Sequence, residues 1–337
     1  MKKYLFLAAT AVVALSSCSN EEVSEVSVLP GTGETPIEFT AYTGRATRYS
    51  ASEADIYSLV YQEEPEEVGG FSLTGTYLED EKNMFIMDNA LYTVDVETDQ
   101  RACSPVSGQI PLWTDDIPTD TQISFYAYYP SGTAQTTSPV TLDAEVGTLT
   151  ISNVDGETDV MAAAATVTKG EAVALGFKHL LAQVEMNVRY DEDYADLFGT
   201  GAVAYVDVSN LTLQAPASSV YDLAEGVATV PAPDDGGDNI SRYPFATDNG
   251  FEISENLTTC GTAMIPAANS GSECTLNVGF TFTLQNQQQF YFSKNATVTI
   301  VAGSRNVINV TVKGDAPISI TASVEAWENA ANQTVEF

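Results

Sequence analysis

Apolar and polar residues alternate along most of this chain. Over residues 275–284, Leu276, Val278, Phe280, Phe282 and Leu284 share one face, and Thr275, Asn277, Gly279, Thr281 and Thr283 share the other. A period of two marks a strand with one buried side. The same period puts Ile123, Phe125 and Ala127 on the inner face of a strand that Pro130 stops, because proline has no amide hydrogen for a ladder. Further strands are predicted at 36–43, 56–61, 71–77, 84–87, 91–94, 206–213, 290–293, 296–300, 307–312 and 318–327. Residues 140–142 and 149–151 read as a hairpin around Glu145-Val146-Gly147, and 161–165 as a strand or a single turn.

Within 173–188 the phase changes. Val173, Leu175 and Phe177 share one face, and then Leu180, Ala182, Val184, Met186 and Val188 share another. A bulge or bend near Lys178-His179 is expected, and 206–213 carries a similar switch. About fifteen short strands with frequent turns predict an all-β protein of two Greek-key β-sandwich domains. The boundary is placed between 160 and 172, which gives domains over 36–168 and 169–337.

The longest apolar run lies elsewhere. Tyr4 to Leu15 follows Lys2-Lys3 and leads into Leu15-Ser16-Ser17-Cys18. This is a lipoprotein signal peptide over 1–17, with Cys18 as the lipidated residue, palmitate being one such lipid. The run falls short of the about 20 residues that span a bilayer. Residues 18–35 form an acidic tether. The chain holds 46 acidic and 13 basic residues, a net charge of -33. Such a surface repels nucleic acid and anionic membranes, so no nucleic-acid partner is expected and the lipid must anchor the protein. A hydrophobic share of 44% argues against a disordered acidic chain.

Reactive constellations are scarce. The single histidine, His179, lies in an apolar strand run and reads as a structural hydrogen-bonding residue. Gly-x-Ser-x-Gly, phosphate-loop and Rossmann glycine patterns are missing, so neither an enzyme nor a cofactor or metal is expected. Asp234, Asp235 and Asp238 lack the spacing of a calcium loop. Tyrosines beside Trp113 read as sheet core or as a sugar-stacking platform. Cys260 and Cys274 read either as a disulfide across two strands or as two separate buried thiols. Arg45 and Arg48 stand out because basic residues are few. They offer a site to an arginine-specific protease, or belong to an ordinary connection.

Several ordered motifs resemble the fimbrillin family of Bacteroidetes, the subunits of type V pili. They are the Leu15-Ser16-Ser17-Cys18 lipobox, Ile37 to Phe39 before Gly44-Arg45-Ala46, and Trp113 ahead of Phe125-Tyr126-Ala127-Tyr128-Tyr129-Pro130. Asp159-Val160-Met161-Ala162, Gly176-Phe177-Lys178-His179-Leu180-Leu181-Ala182, Met264-Ile265-Pro266 and Trp327 follow. The resemblance implies two transthyretin-like sandwich domains and export as an outer-membrane lipoprotein. It also implies an arginine-specific maturation protease cutting after Arg45 or Arg48, which removes a strand bearing Ile37, Phe39 and Ala41. A donor strand would then join other fimbrillin subunits head to tail. Ile318, Ile320, Ala322 and Val324 alternate as such a strand would. A host or bacterial surface receptor is the further partner implied by adhesion. The alternatives are a surface glycan-binding lipoprotein and a non-polymerising tip or anchor fimbrillin.

Overall fold

The computed structural model describes residues 35–43, 59–60, 69–96, 101–131, 138–191, 203–232, 239–245, 253–313 and 318–326. Cys18, Arg45, Arg48, the acidic trio Asp234, Asp235 and Asp238, and most of the strand predicted at 56–61 lie outside them.

The described residues are all-β and contain no helix. In chain order the strands are β1 (Thr35–Pro36), β2 (Phe39–Thr43), β3 (Phe71–Glu79), β4 (Lys82–Val94), β5 (Ala102–Pro105), β6 (Leu112–Trp113) and β7 (Gln122–Tyr129). Next come β8 (Val140–Asp143), β9 (Thr148–Ser152), β10 (Met161–Thr168), β11 (Val173–His179), β12 (Ala182–Tyr190), β13 (Val203–Pro216), β14 (Ser218–Asp222) and β15 (Val227–Thr229). The last are β16 (Ile240–Pro244), β17 (Thr258–Ile265), β18 (Ser272–Leu284), β19 (Gln289–Ile300), β20 (Ser304–Val312) and β21 (Ile318–Ala326).

Seven strands close a barrel in the order β10-β11-β2-β5-β4-β3-β7. Two four-stranded sheets, β17-β12-β20-β21 and β16-β13-β18-β19, face a shared core. A third, β15-β14-β9-β8, packs on that same core through Val140, Leu149, Ile151, Tyr221 and Ala228. The barrel has its own core, built around Phe39, Phe71, Tyr92, Trp113, Phe125 and Phe177.

A closed barrel stands where one of the two sandwiches was expected, 84–87 with 91–94 and 290–293 with 296–300 form single strands, and the expected boundary fails at two places. β11 falls beyond the boundary expected from sequence, yet it pairs with β2 and β10 inside the barrel. The hairpin β8–β9 falls before it, yet it pairs with β14 and joins the other core. The phase change has a physical origin in this crossing. Val173, Leu175 and Phe177 fill the barrel, whereas Leu180, Ala182, Val184, Met186 and Val188 fill the sandwich. The chain passes between the cores at residues 180–181, where Leu180 N–H donates to Val160 O (2.8 Å) and Gly303 N–H to Leu181 O (2.8 Å). The second switch is a bulge between Val208 and Asn210 in β13, which keeps Val206, Val208, Leu211 and Leu213 all buried.

β21 is the outer strand of its sheet and pairs with β20 over nine residues. Arg305 on β20 spans the outer face. Its guanidinium donates to Glu185 Oε2 (2.5 Å) on β12 and to Glu325 Oε2 (3.1 Å) on β21. Burial pushes the Glu185 carboxyl up, but hydrogen bonds from Arg305 and Asn187 and the Arg305 charge outweigh it, so the net direction is down.

Two predictions follow from packing and charge. A Cβ at Gly75 would lie 2.6 Å from Phe125 Cε1, so Gly75→Ala should destabilise the protein by about 1–3 kcal/mol in urea unfolding. Arg305→Ala should lower stability by about 1 kcal/mol at neutral pH, the scale of a part-exposed pair. Because the folded Glu185 carboxyl titrates below its unfolded value of 4.5, the stabilisation is present above that pH. The difference between the two proteins should shrink as pH falls from there through the lower folded value.

Candidate functional site

β2 lies where the barrel is closed on both sides. It runs parallel to β11, with Phe39 opposite Val173, Ala41 opposite Leu175 and Thr43 opposite Phe177. On the other side it is antiparallel to β5 for two residues, Phe39 opposite Cys103 and Thr40 opposite Ala102. Single backbone bonds extend the seam. Ile37 N–H donates to Pro111 O (2.9 Å), Ala41 N–H to Arg101 O (3.1 Å), and Val173 N–H to Glu38 O (2.8 Å).

Strand alternation turns Ile37, Phe39 and Ala41 inward, and all three are buried. The Phe39 ring meets Tyr92 (centroids 5.5 Å) and Phe125 (5.2 Å) edge-on. Phe125 in turn meets Trp113 at 6.3 Å. Fully burying Ile37 and Phe39 contributes about 1.5–3 kcal/mol each. On the outer side Tyr42 lies across Gly176: a Cβ there would sit 2.6 Å from the Tyr42 hydroxyl oxygen. Cys103 faces the same core beside Phe39, and burial pushes its thiol up to about 12.

Other residues singled out in the sequence serve structure. Trp113 is 4% exposed and belongs to the barrel core, which overturns a sugar platform around it. His179 Nδ1–H donates to Asp159 Oδ2 (2.5 Å) at the end of β11, the structural role its sequence context indicates. The Cys260–Cys274 disulfide is not formed: both thiols are free. Cys260 lies on β17 and Cys274 on β18, and these strands belong to different sheets rather than to one hairpin. Burial raises both thiols to about 12.

A cavity of about 570 Å³ lies between Pro130 and Thr158 and includes Asp155. Asp155 is occupied by an Asx turn. Its Oδ1 accepts from the Glu157 and Thr158 amides (both 2.8 Å) and its Oδ2 from the Thr158 hydroxyl (2.9 Å). Among the described residues no group of three His, Cys, Asp or Glu side chains is placed to hold a metal ion.

The strand expected as donor is seated at home. In β21, Ile320 and Ala322 pack on the sandwich core, and Val324 is 40% exposed. The exposed ring of Tyr291, which lies across Gly279 on the sandwich, had no sequence signal beyond its outward phase in β19.

Known proteins of this architecture include a fimbrial protein from Bacteroides vulgatus ATCC 8482. It shares 16% identity at a TM-score of 0.61, over 87% of this chain and 99% of that one. A fimbrial assembly protein from Parabacteroides distasonis ATCC 8503 shares 11% identity at a TM-score of 0.39, over 87% and 99%. No curated protein sequence matches the chain. The fimbrillin-like family profile matches residues 62–327, most of its length, and the chain belongs to that family.

Proposed function

We propose that this protein is a structural subunit of a cell-surface fimbrium that is held as a precursor by β2 and assembled by strand addition. The reading adds lipidation at Cys18, cleavage after Arg45 (or Arg48) by an arginine-specific protease, and release of the segment carrying Ile37, Phe39 and Ala41. The observation that carries it is the position of β2. It is a short strand in the middle of the barrel wall, it buries Phe39 and Ala41 in the core beside the preceding Ile37, and its end lies two residues before Arg45. Loss of β2 would leave the ladder groups of β11 and β5 unpaired beside an apolar groove, a state that favours capture of another strand.

Two segments carry a suitable donor pattern. Ile318, Ile320, Ala322 and Val324 alternate in β21, but β21 would have to give up nine residue pairs and its link to Arg305. Residues 327–337 lie outside the described residues, and in sequence Val335-Glu336-Phe337 repeats the pattern of Ile37-Glu38-Phe39. In the second copy's groove, Val335 and Phe337 would take the places of Ile37 and Phe39. The contact is head to tail and does not close on itself, so it propagates a filament. The same lipid anchor would hold the precursor at the outer membrane, and the finished fimbrium would meet a surface receptor.

The decisive experiment digests purified precursor with an arginine-specific protease. A new N-terminus at Ala46, appearance of oligomers, and maleimide labelling of Cys103 only after cutting are the expected results. Monomer that persists after complete cutting would refute self-assembly, and Cys103 labelling that does not change would refute loss of β2. Phe39→Ala should destabilise the precursor by about 3–5 kcal/mol in thermal or urea unfolding. Phe337→Asp should abolish oligomers after cutting, read by native size.

A further inference from the structure

The outer face of β13, β18 and β19 carries an exposed aromatic ring that neither the fold nor assembly accounts for. Strand register sets Thr281 opposite Tyr291, and two residues along it sets Tyr205 opposite Thr283, which is buried and accepts from Gln289 Nε2 (3.4 Å). Tyr291 is 60% exposed, although its ring is held down on the sheet. A Cβ at Gly279 would sit 2.6 Å from the Tyr291 hydroxyl oxygen and 3.1 Å from ring carbon Cε2. The ring therefore crosses the glycine with one side against backbone and much of the other open to water. An aromatic ring over a strand glycine stabilises a sheet. That role does not require so much of the ring to stay exposed. Tyr42 covers Gly176 in the same way and is only half-exposed.

We infer that this face is a binding surface for a neutral saccharide, with a pyranose ring stacked on Tyr291. A pyranose has an apolar C–H side that matches an aromatic face and a rim of hydroxyls that needs hydrogen-bond partners. Thr281 lies directly opposite Tyr291, and the Ser209 hydroxyl oxygen would sit 3.1 Å from a Cβ at Gly279, so hydroxyl groups border the ring. Tyr205, 38% exposed, supplies a second aromatic group two strands and two residues away. Strand geometry puts its Cα about 12 Å from that of Tyr291, a span suited to a short run of linked sugars. The net charge of -33 disfavours sialylated and sulfated ligands. The inference is independent of strand addition, because none of these residues belongs to β2 or to residues 318–337.

The test uses intact precursor on an array of glucan, mannan and galactan oligosaccharides beside sialylated and sulfated ones. The expected result is retention on at least one neutral oligosaccharide and none on the acidic set. Tyr291→Phe should bind as the parent does. Tyr291→Ala should bind on the order of tenfold more weakly. Gly279→Ala, which must lift the ring, should also weaken binding. If Tyr291→Ala melts early, Tyr291→Leu keeps apolar cover on the glycine without an aromatic face and should show the same loss. Failure to bind any neutral oligosaccharide, stronger binding to acidic ones, or undiminished binding by a folded Tyr291→Leu protein would overturn the inference.

Discussion

Closure of the barrel rests on β2. The strand joins β11 to β5, and without it these neighbours have no backbone partner on that side among the described residues. Phe39 reaches Tyr92 and Phe125 at once, so one side chain ties β2 to β4 and β7 across the core. Aromatic contacts of this kind add about 0.5–1.5 kcal/mol each to simple burial. The two sides of β2 are unequal: five residue pairs hold it to β11 and two to β5. Such a strand is well packed by its side chains and modestly held on one backbone edge.

The second constraint is the crossing between the cores. Met161 and Phe177 belong to the barrel, while Val160 and Leu180 next to them in space or sequence belong to the sandwich. Leu180 N–H on Val160 O and the His179–Asp159 pair fix both chain passages at the same level. Strain on either unit is thus transmitted through a short paired segment rather than through a free linker. A filament subunit needs such a junction, because tension would otherwise be taken up by linker extension.

Much of this was legible in the sequence. The alternation at 123–129 becomes β7 with the expected inner face, that at 275–284 becomes β18 with Leu276, Val278, Phe280 and Phe282 inward while Thr283, expected outward, is buried, and both phase switches mark real events. The switch at 178–179 was read as a bend within one unit. Periodicity records which residues are buried, not in which core, so a crossing between cores and a local bend leave the same trace. The same limit hid the allegiance of β8–β9, whose pairing with β14 is a contact of long sequence separation. For a related reason the sequence left Cys260 and Cys274 open between a disulfide across two strands and two separate thiols, of which the structure has the second. A turn lies between them, but β17 and β18 pass to opposite sheets. At the candidate site, Ile37, Phe39 and Ala41 were legible from period two, while the Tyr42–Gly176 and Tyr291–Gly279 contacts depend on register that sequence alone does not supply.

Charge decides how subunits of this kind can hold together. At a net charge of -33, two copies repel, and salt confines that repulsion to separations of about 8–10 Å. Attraction must come from contacts that act only at short range. An inserted strand supplies them, through ladder hydrogen bonds on both edges and apolar side chains placed in a preformed groove. Repulsion then opposes unspecific association without penalising the seated strand strongly, because Ile37 and the inward residues of β2, Phe39, Ala41 and Thr43, carry no charge. In the assembly proposed above, the acidic surface would keep subunits apart until the apolar groove becomes available.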